Sequence, residues 1–385
     1  MNLLHPVWVE INLNNFIYNL NQIKSHTVNS EIIGVVKANA YGHGAVEISK
    51  VLLENGIEKL AVANVLEGIE LRQNKIDCPL MILGISEDIA IDSIINYSME
   101  PTVSSYEFAY NLNKRAKELN KIINIHIALD TGMGRIGFRK TKESIDEITK
   151  ISNLENLKIV SGFSHFAKAD SNDKEYCYKQ LENYDYFINE LNNKNVCLGN
   201  KNFCNSAGII DLPLNHYNNV RPGIILYGYY PSDEVRKEVI DLKPVLTWKT
   251  KVLYIKEIDK DEFIGYGNSF KSTRKTKIAT IPVGYADGYS RGLSNKGKVI
   301  INGQLAPIVG NVCMDQCMVD ITDLDNINLG DEVILLGNDK KVKFDGDDMA
   351  KLLGTINYEL FCLIGRRVPR VYLKDNLVTL VAHQF

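Results

Sequence analysis

A lysine closes an apolar run and is followed at once by a turn-forming stretch: Val35-Val36-Lys37-Ala-Asn-Ala-Tyr41-Gly42-His43-Gly44. An amine at the end of a buried strand is partly desolvated. Burial disfavours its ammonium form, so a lysine placed there suits Schiff-base chemistry with a carbonyl compound. Position alone fits a second reading equally, a lysine whose stem lies along the strand while its ammonium reaches water. The adjoining Tyr-Gly-His-Gly points to a site. Another stretch, Gly132-Met-Gly134-Arg-Ile-Gly137, has the G-x-G-x-x-G spacing that cradles a dinucleotide pyrophosphate at a helix start. The helical pattern resumes only near Lys142, well past the last glycine, and no acid stands where a ribose would need one. That spacing is therefore read as a loop and not as a nicotinamide site. Cys313 and Cys317 are four apart, yet no second cysteine or histidine pair completes a zinc set.

The elements that must position these groups are legible from hydrophobic periodicity. Segments 31–38, 59–64, 79–84, 123–130, 158–166 and 219–228 read as strands. Helical spacing fills 44–56, 65–75, 88–97, the stretch SYEFAYNLNKRAKELN, KESIDEITKISN and KEYCYKQLENYDYFINELNNK. The strands are apolar on both faces, as in a parallel sheet covered by helices. Seven or eight such units predict a closed (β/α)8 barrel over residues 1–240. Residues 241–385 change character, to short alternating strands split by Gly, Asn and Asp turns, and predict a mostly β C-terminal domain. The first strand, within about residues 1–12, precedes the first barrel helix and is expected to join that β domain. In a barrel, reactive groups sit at the C-terminal ends of strands, which is where Lys37 falls.

Composition narrows the partners. The 385 residues carry 44 basic and 47 acidic side chains, a net charge of -3, with no basic stripe to track nucleic acid. No apolar run reaches the roughly 18 residues of a membrane span, and the opening MNLLHPVWVEINL reads as a strand and not as a leader. The seven cysteines, Cys78, Cys177, Cys197, Cys204, Cys313, Cys317 and Cys362, are odd in number and scattered. They are expected to be reduced thiols of a cytoplasmic protein.

V-K-A-N-A-Y-G-H-G resembles the cofactor-lysine signature of bacterial alanine racemases. The resemblance continues in order through D-T-G-M-G-R-I-G (130–137), S-H-F-A (164–167), N-S-A (205–207), V-R-P-G-I (220–224), G-Y-G (265–267), V-G-Y-A-D-G-Y (283–289), C-M-D-Q (313–316), G-T-I-N-Y-E (354–359) and R-V-P-R-V-Y (367–372). It implies a barrel followed by a β domain, pyridoxal 5'-phosphate as cofactor, a small amino acid as substrate, and a homodimer with active sites built from both chains. Lys37 would hold the cofactor and act as one catalytic base, with Tyr266 of the partner subunit as the other. Racemisation needs one base on each face of a planar intermediate, in complementary protonation states. An unperturbed phenol titrates near ~10 and needs neighbours to act as a base at neutral pH. His165 is the family's partner for that tyrosine, although a histidine there could also be a core residue satisfied by backbone.

The resemblance assigns further roles. Arg221 would face the pyridine nitrogen as a permanent donor, leaving that nitrogen unprotonated and the ring a weaker electron sink. An arginine in a salt bridge at a strand edge is the alternative. Tyr41, Ser206, Tyr358 and the amides of Gly223 and Ile224 would hold the phosphate, glycine allowing close approach. Arg135 would contact the cofactor's phenolic oxygen and the substrate. Tyr285 and Met314 would reach the substrate pocket from the second subunit, with Asn205 and Leu83 in the same surroundings. The bulk of Tyr358 favours a methyl side chain. One methylene is worth only ~1–3 kcal/mol, so serine or another amino acid is a second candidate.

Three positions depart from the pattern. Ala128 stands where many relatives have a lysine that is carbamylated and orients the cofactor-contacting arginine. Asn202 replaces a histidine, and Asn311 an arginine of the substrate entrance, whereas Arg291 keeps the other entrance arginine. Arg135 is therefore expected to be oriented by a bound anion or a rearranged acid. Two other classes fit parts of the chain. A non-catalytic cofactor-binding barrel needs neither the β domain nor Tyr266. A decarboxylase of this architecture uses a C-terminal cysteine as an acid, but Cys313 sits inside C-M-D-Q.

Overall fold

The computed structural model describes residues 4–339 and 342–383. The chain forms two compact units, Ile17–Lys243, and Met1–Phe16 together with Pro244–Phe385.

Eight parallel strands close the first unit. Glu31–Val35, Lys59–Val62, Leu80–Ile85, Glu100–Val103, Ile123–Asp130, Leu157–Phe163, Asn200–Asn202 and Asn219–Val220 pair in chain order, and the last pairs with the first. This is the expected (β/α)8 barrel. Helices follow the strands and are started by side chains that accept first-turn N–H groups. Ser105 begins Tyr106–Glu118, Thr141 begins Lys142–Ser152, and Asn64 begins Val65–Gln73. Their inward residues, such as Phe108, Ala109 and Leu112, are buried.

Two strands escaped the sequence reading. Glu100–Val103 contains Pro101, which reads as a breaker, and Asn200–Asn202 is three polar residues. Both are held by their neighbours' ladders and not by their own composition. Glu100 is also fixed through side chains. It lies 3.1 Å from Nε2 of His126, accepts from Asn124 at 2.8 Å, and His126 Nδ1 lies 2.6 Å from Ser161 Oγ. The expected strand 219–228 shrinks to Asn219–Val220, because Arg221-Pro222-Gly223 leaves the ladder and Ile224–Tyr227 forms a 3-10 turn. The expected strand 31–38 ends at Val35, and 158–166 ends at Phe163.

The second unit is built on an antiparallel sheet in which, among the described residues, eleven strands pair. Val7–Asn12 pairs in this sheet, antiparallel to Leu246–Lys251 and parallel to Arg370–Lys374. Two short helices, Gly346–Leu353 and Asn357–Leu363, were not anticipated. The first opens with a reciprocal cap between Asp345 and Asp348.

Candidate active site

Lys37 follows the strand Glu31–Val35 and is half-buried. It opens a turn that does not continue as an ordinary helix. Ala38, Asn39, Ala40 and Tyr41 have φ between +51 and +54°, and the first three have ψ between +47 and +51°. A left-handed turn of non-glycine residues costs about 1–2 kcal/mol per residue, so this one is imposed by its surroundings. Inside the turn, Gly42 N–H donates to Ala38 O at 3.0 Å and Gly44 N–H to Asn39 O at 2.9 Å. His43 is buried, and its Nδ1 donates to the carbonyls of Ala40 and Tyr41 at 3.1 and 2.8 Å. The motif histidine therefore shapes the turn.

The turn delivers Tyr41 to the 220s loop. Tyr41 is buried, its ring 4.9 Å from that of Tyr227. A Cβ placed on Gly223 would lie 2.5 Å from Tyr41 Oη and 3.8 Å from Ser206 Oγ, so only glycine admits this approach. Gly223 N–H donates to Ser206 Oγ at 2.9 Å. Ser206 opens the short helix Ser206–Asp211, which Asn205 caps by accepting from Gly208 N–H at 3.0 Å. Two hydroxyls and the Gly223–Ile224 backbone are thus gathered at the ends of three neighbouring strands. Leu83 is half-buried near the end of Leu80–Ile85.

Arg221 is buried, and every acceptor on it is neutral. Nη2 donates to Ser164 O at 2.6 Å, to Phe203 O at 3.2 Å and to His165 Nδ1 at 3.3 Å, and Nη1 donates to Asn202 Oδ1. Among the described residues this arginine forms no salt bridge. Burial lowers its pKa to about 10, and it stays charged at neutral pH. The substituted position, Asn202, is thus itself a ligand of the arginine. His165 is not a core histidine satisfied by backbone: its other ring nitrogen lies 3.2 Å from Asn205 Nδ2. Burial, then Arg221, Arg135 and Lys37, push its pKa well below the ordinary value, so the ring is neutral. Both nitrogens of the neutral ring face donor groups, Arg221 Nη2 at Nδ1 and Asn205 Nδ2 at Nε2. The backbone here is held by the buried Gln180, which donates to His165 O and accepts from Ala167 N–H, both at 2.9 Å.

The glycine-rich stretch is a loop, with its helix beginning only at Lys142. Asp130 accepts from the N–H groups of Gly132 and Gly134 at 3.0 and 2.9 Å, and Tyr176 and Asn183 hold the carbonyls of Gly132 and Thr131. Arg135 projects from this loop, exposed, and among the described residues forms no ion pair. Asp130 serves the loop backbone, and Ala128 is buried opposite Phe163.

The remaining four residues lie in the second unit. Tyr266 is 74% exposed on a turn between the paired Phe263–Ile264 and Phe270–Lys271. Its carbonyl accepts from Asn311 Nδ2 at 2.7 Å, so this substituted position also has a part in the site. Tyr285 and Met314 are exposed on loops joined by Tyr285 N–H to Cys313 O and Ala286 N–H to Met314 O. Tyr358 is half-buried in the first turn of Asn357–Leu363. Glu67 escaped the sequence reading although it holds the Lys37 turn. Its signal was the spacing Asn64-x-x-Glu67 at a helix start. Among the described residues no group of three His, Cys, Asp or Glu could hold a metal ion, and no helix is long and apolar enough to cross a membrane.

Fold and site together define a (β/α)8-barrel protein with Lys37 and the buried Arg221 at its strand ends, joined to a mostly antiparallel β unit. Residues 11–231 match the alanine racemase N-terminal domain family and residues 245–372 the alanine racemase C-terminal domain family. The chain is 54% identical over 375 residues to alanine racemase 1 of Clostridium acetobutylicum, covering 97% of each. It is 44% identical to the solved alanine racemase of Clostridium difficile 630, with a TM-score of 0.95 over 100% of both chains. It is 29% identical to the alanine racemase of Bartonella henselae solved with covalently bound pyridoxal phosphate, with a TM-score of 0.85 over 96% of this chain and 98% of that one. The chain belongs to the alanine racemase family.

Proposed function

We propose that this chain interconverts L- and D-alanine as a homodimer, with pyridoxal 5'-phosphate held on Lys37. The observation that carries the reading is the barrel rim. Arg221 lies against a neutral His165 whose charge Arg135 and Lys37 also disfavour, Arg221 has neutral acceptors among the described residues, and Tyr41 and Ser206 approach Gly223. Such a rim suits a doubly anionic phosphate and an amino-acid carboxylate. Two phosphate-sized donors packed against a glycine that admits no Cβ fit the group.

When bound, the cofactor supplies the electron withdrawal that loosens the substrate's α-proton. Tyr41, Ser206, Tyr358 and the amides of Gly223 and Ile224 hold the phosphate. Arg221 donates toward the pyridine nitrogen and, staying charged, gives up no proton to it. Arg135 donates toward the phenolic oxygen and the substrate carboxylate. No carbamate can form at Ala128, so a bound anion or a rearranged acidic residue would orient Arg135. Lys37 moves the α-proton on one face, and Tyr266 of the partner subunit on the other. His165, neutral and flanked by Arg221 and Asn205, would be the ring beside that phenol and tune its basicity. Asn205 and Leu83 border the cofactor. Tyr285 and Met314 border the substrate, and Tyr358 favours a methyl side chain. The D-alanine so formed would feed peptidoglycan synthesis in a cytoplasmic setting.

The test is turnover by the purified protein of D- and L-alanine, serine, lysine and ornithine, with borohydride reduction to mark the lysine carrying the cofactor. Alanine interconversion with label on Lys37 is the expected result. Absence of alanine turnover would end the reading, and serine turned over faster than alanine would reassign the substrate.

A further inference from the structure

We propose that Glu67 is a positioning residue: its carboxylate holds the Lys37-bearing turn in its left-handed form and thereby sets the protein's affinity for pyridoxal 5'-phosphate. The inference rests on the reading of Lys37 as the cofactor's residue.

The helix Val65–Gln73 starts at Asn64, whose side chain accepts from Glu67 N–H at 3.1 Å. In a reciprocal cap, the glutamate at this position turns back to the N–H of the cap residue itself. Here it does something else. Glu67 Oε2 accepts from Ala63 N–H at 2.7 Å, and Oε1 accepts from Ala38 N–H at 2.8 Å. One carboxylate therefore ties the end of one barrel strand to the peptide directly after Lys37, 29 residues away in sequence.

That peptide is where the turn begins. Ala38 is exposed and has φ +51°. Within the turn, Ala40 N–H donates to Val36 O at 2.8 Å, Ala45 N–H to Asn39 Oδ1 at 2.9 Å, and His43 bonds Ala40 and Tyr41, while the Tyr41 and His43 rings pack on Tyr227. Glu67 reaches in from another strand–helix connection and bonds the backbone at the turn's first peptide. It fixes the orientation of the Lys37–Ala38 peptide, and so the direction in which Lys37 leaves the strand and Tyr41 reaches Gly223. A turn released from it relaxes toward the right-handed region preferred by Ala and Asn. Apparent affinity then falls in proportion to the population that keeps the competent turn.

The experiment compares the wild-type enzyme with Glu67→Gln, which keeps the side chain's size but leaves one N–H facing an amide donor. Each protein is stripped with hydroxylamine and titrated with pyridoxal 5'-phosphate by visible absorbance, and the melting of stripped and loaded forms is recorded. Loss of one charge-assisted hydrogen bond corresponds to roughly ten- to hundredfold weaker cofactor affinity. The melting temperature should fall further in the loaded form than in the stripped form. A second variant, Glu67→Gln with Ala38→Gly, should recover most of the affinity, because glycine adopts φ +51° without strain. Ala38→Gly alone, at an exposed position, should bind the cofactor at least as tightly as wild type and tests the turn even if Glu67→Gln does not fold. Unchanged affinity in Glu67→Gln, equal melting losses in both forms, failure of Ala38→Gly to rescue, or weaker binding by Ala38→Gly alone would each overturn the proposal. Wild-type protein that takes no borohydride label on Lys37 would instead overturn the underlying reading.

Discussion

Gly223→Ala should injure the barrel by collision and the cofactor site by displacement, and the two effects can be separated. The added Cβ would sit 2.5 Å from Tyr41 Oη and 3.2 Å from its Cζ, against contacts of 3.5–4.0 Å at rest. Tyr41 cannot swing aside freely, because it is buried against Tyr227 with ring centres 4.9 Å apart. Overpacking of this kind costs about 1–3 kcal/mol. For a domain of this size each kcal/mol moves the melting temperature by about 2–4 °C, so a fall of about 2–12 °C follows. The displaced hydroxyl should also weaken cofactor binding about tenfold, the worth of one hydrogen bond to a charged group. Tyr41→Phe removes the oxygen that the methyl strikes. In a double-mutant cycle it should return about 1–2 kcal/mol of the stability lost by Gly223→Ala while leaving cofactor affinity low. Calorimetry of the stripped proteins and absorbance titration with pyridoxal 5'-phosphate measure the two quantities. Wild-type melting in Gly223→Ala, or a Tyr41→Phe effect that adds to the loss, would refute the assignment of Gly223 as the residue that admits the tyrosine.

Asn311→Ala removes the amide that holds the Tyr266 carbonyl at 2.7 Å. Alanine turnover should fall about two- to tenfold with melting nearly unchanged, since one exposed hydrogen bond is lost, and steady-state kinetics beside calorimetry check this. Glu100 should add to acid sensitivity. Burial would raise its pKa, but the hydrogen bond and charge of His126, the hydrogen bond from Asn124 and the charge of Lys59 prevail and hold it below the ordinary value. A depressed folded pKa contributes stability that is complete above the unfolded carboxylate value near ~4.3 and is lost as pH falls through the folded one. Urea midpoints between about pH 3 and 7 should therefore fall less steeply on acidification in Glu100→Gln than in wild type.

Much of this protein is written in local pattern. The βα rhythm, the change to short alternating strands after residue 240, and Lys37 closing an apolar run depend on nearest neighbours along the chain, so the barrel and its reactive end could be read without coordinates. The loop nature of Gly132–Gly137 was legible for the same reason, from a helix that begins late. What stayed hidden depends on partners distant in sequence. Pro101 sits in a real strand because two neighbouring ladders hold it there. Asn202 and Asn311 looked like losses beside the family pattern, yet each side chain reaches the residue that matters, Arg221 in one case and the Tyr266 carbonyl in the other. Sequence determined that Lys37 stands at a strand end. Only the tertiary structure decided the hand of the turn that follows, because four non-glycine residues, of which Asn39 alone readily takes positive φ, are held there by bonds that include one from Glu67, 29 positions on from Ala38.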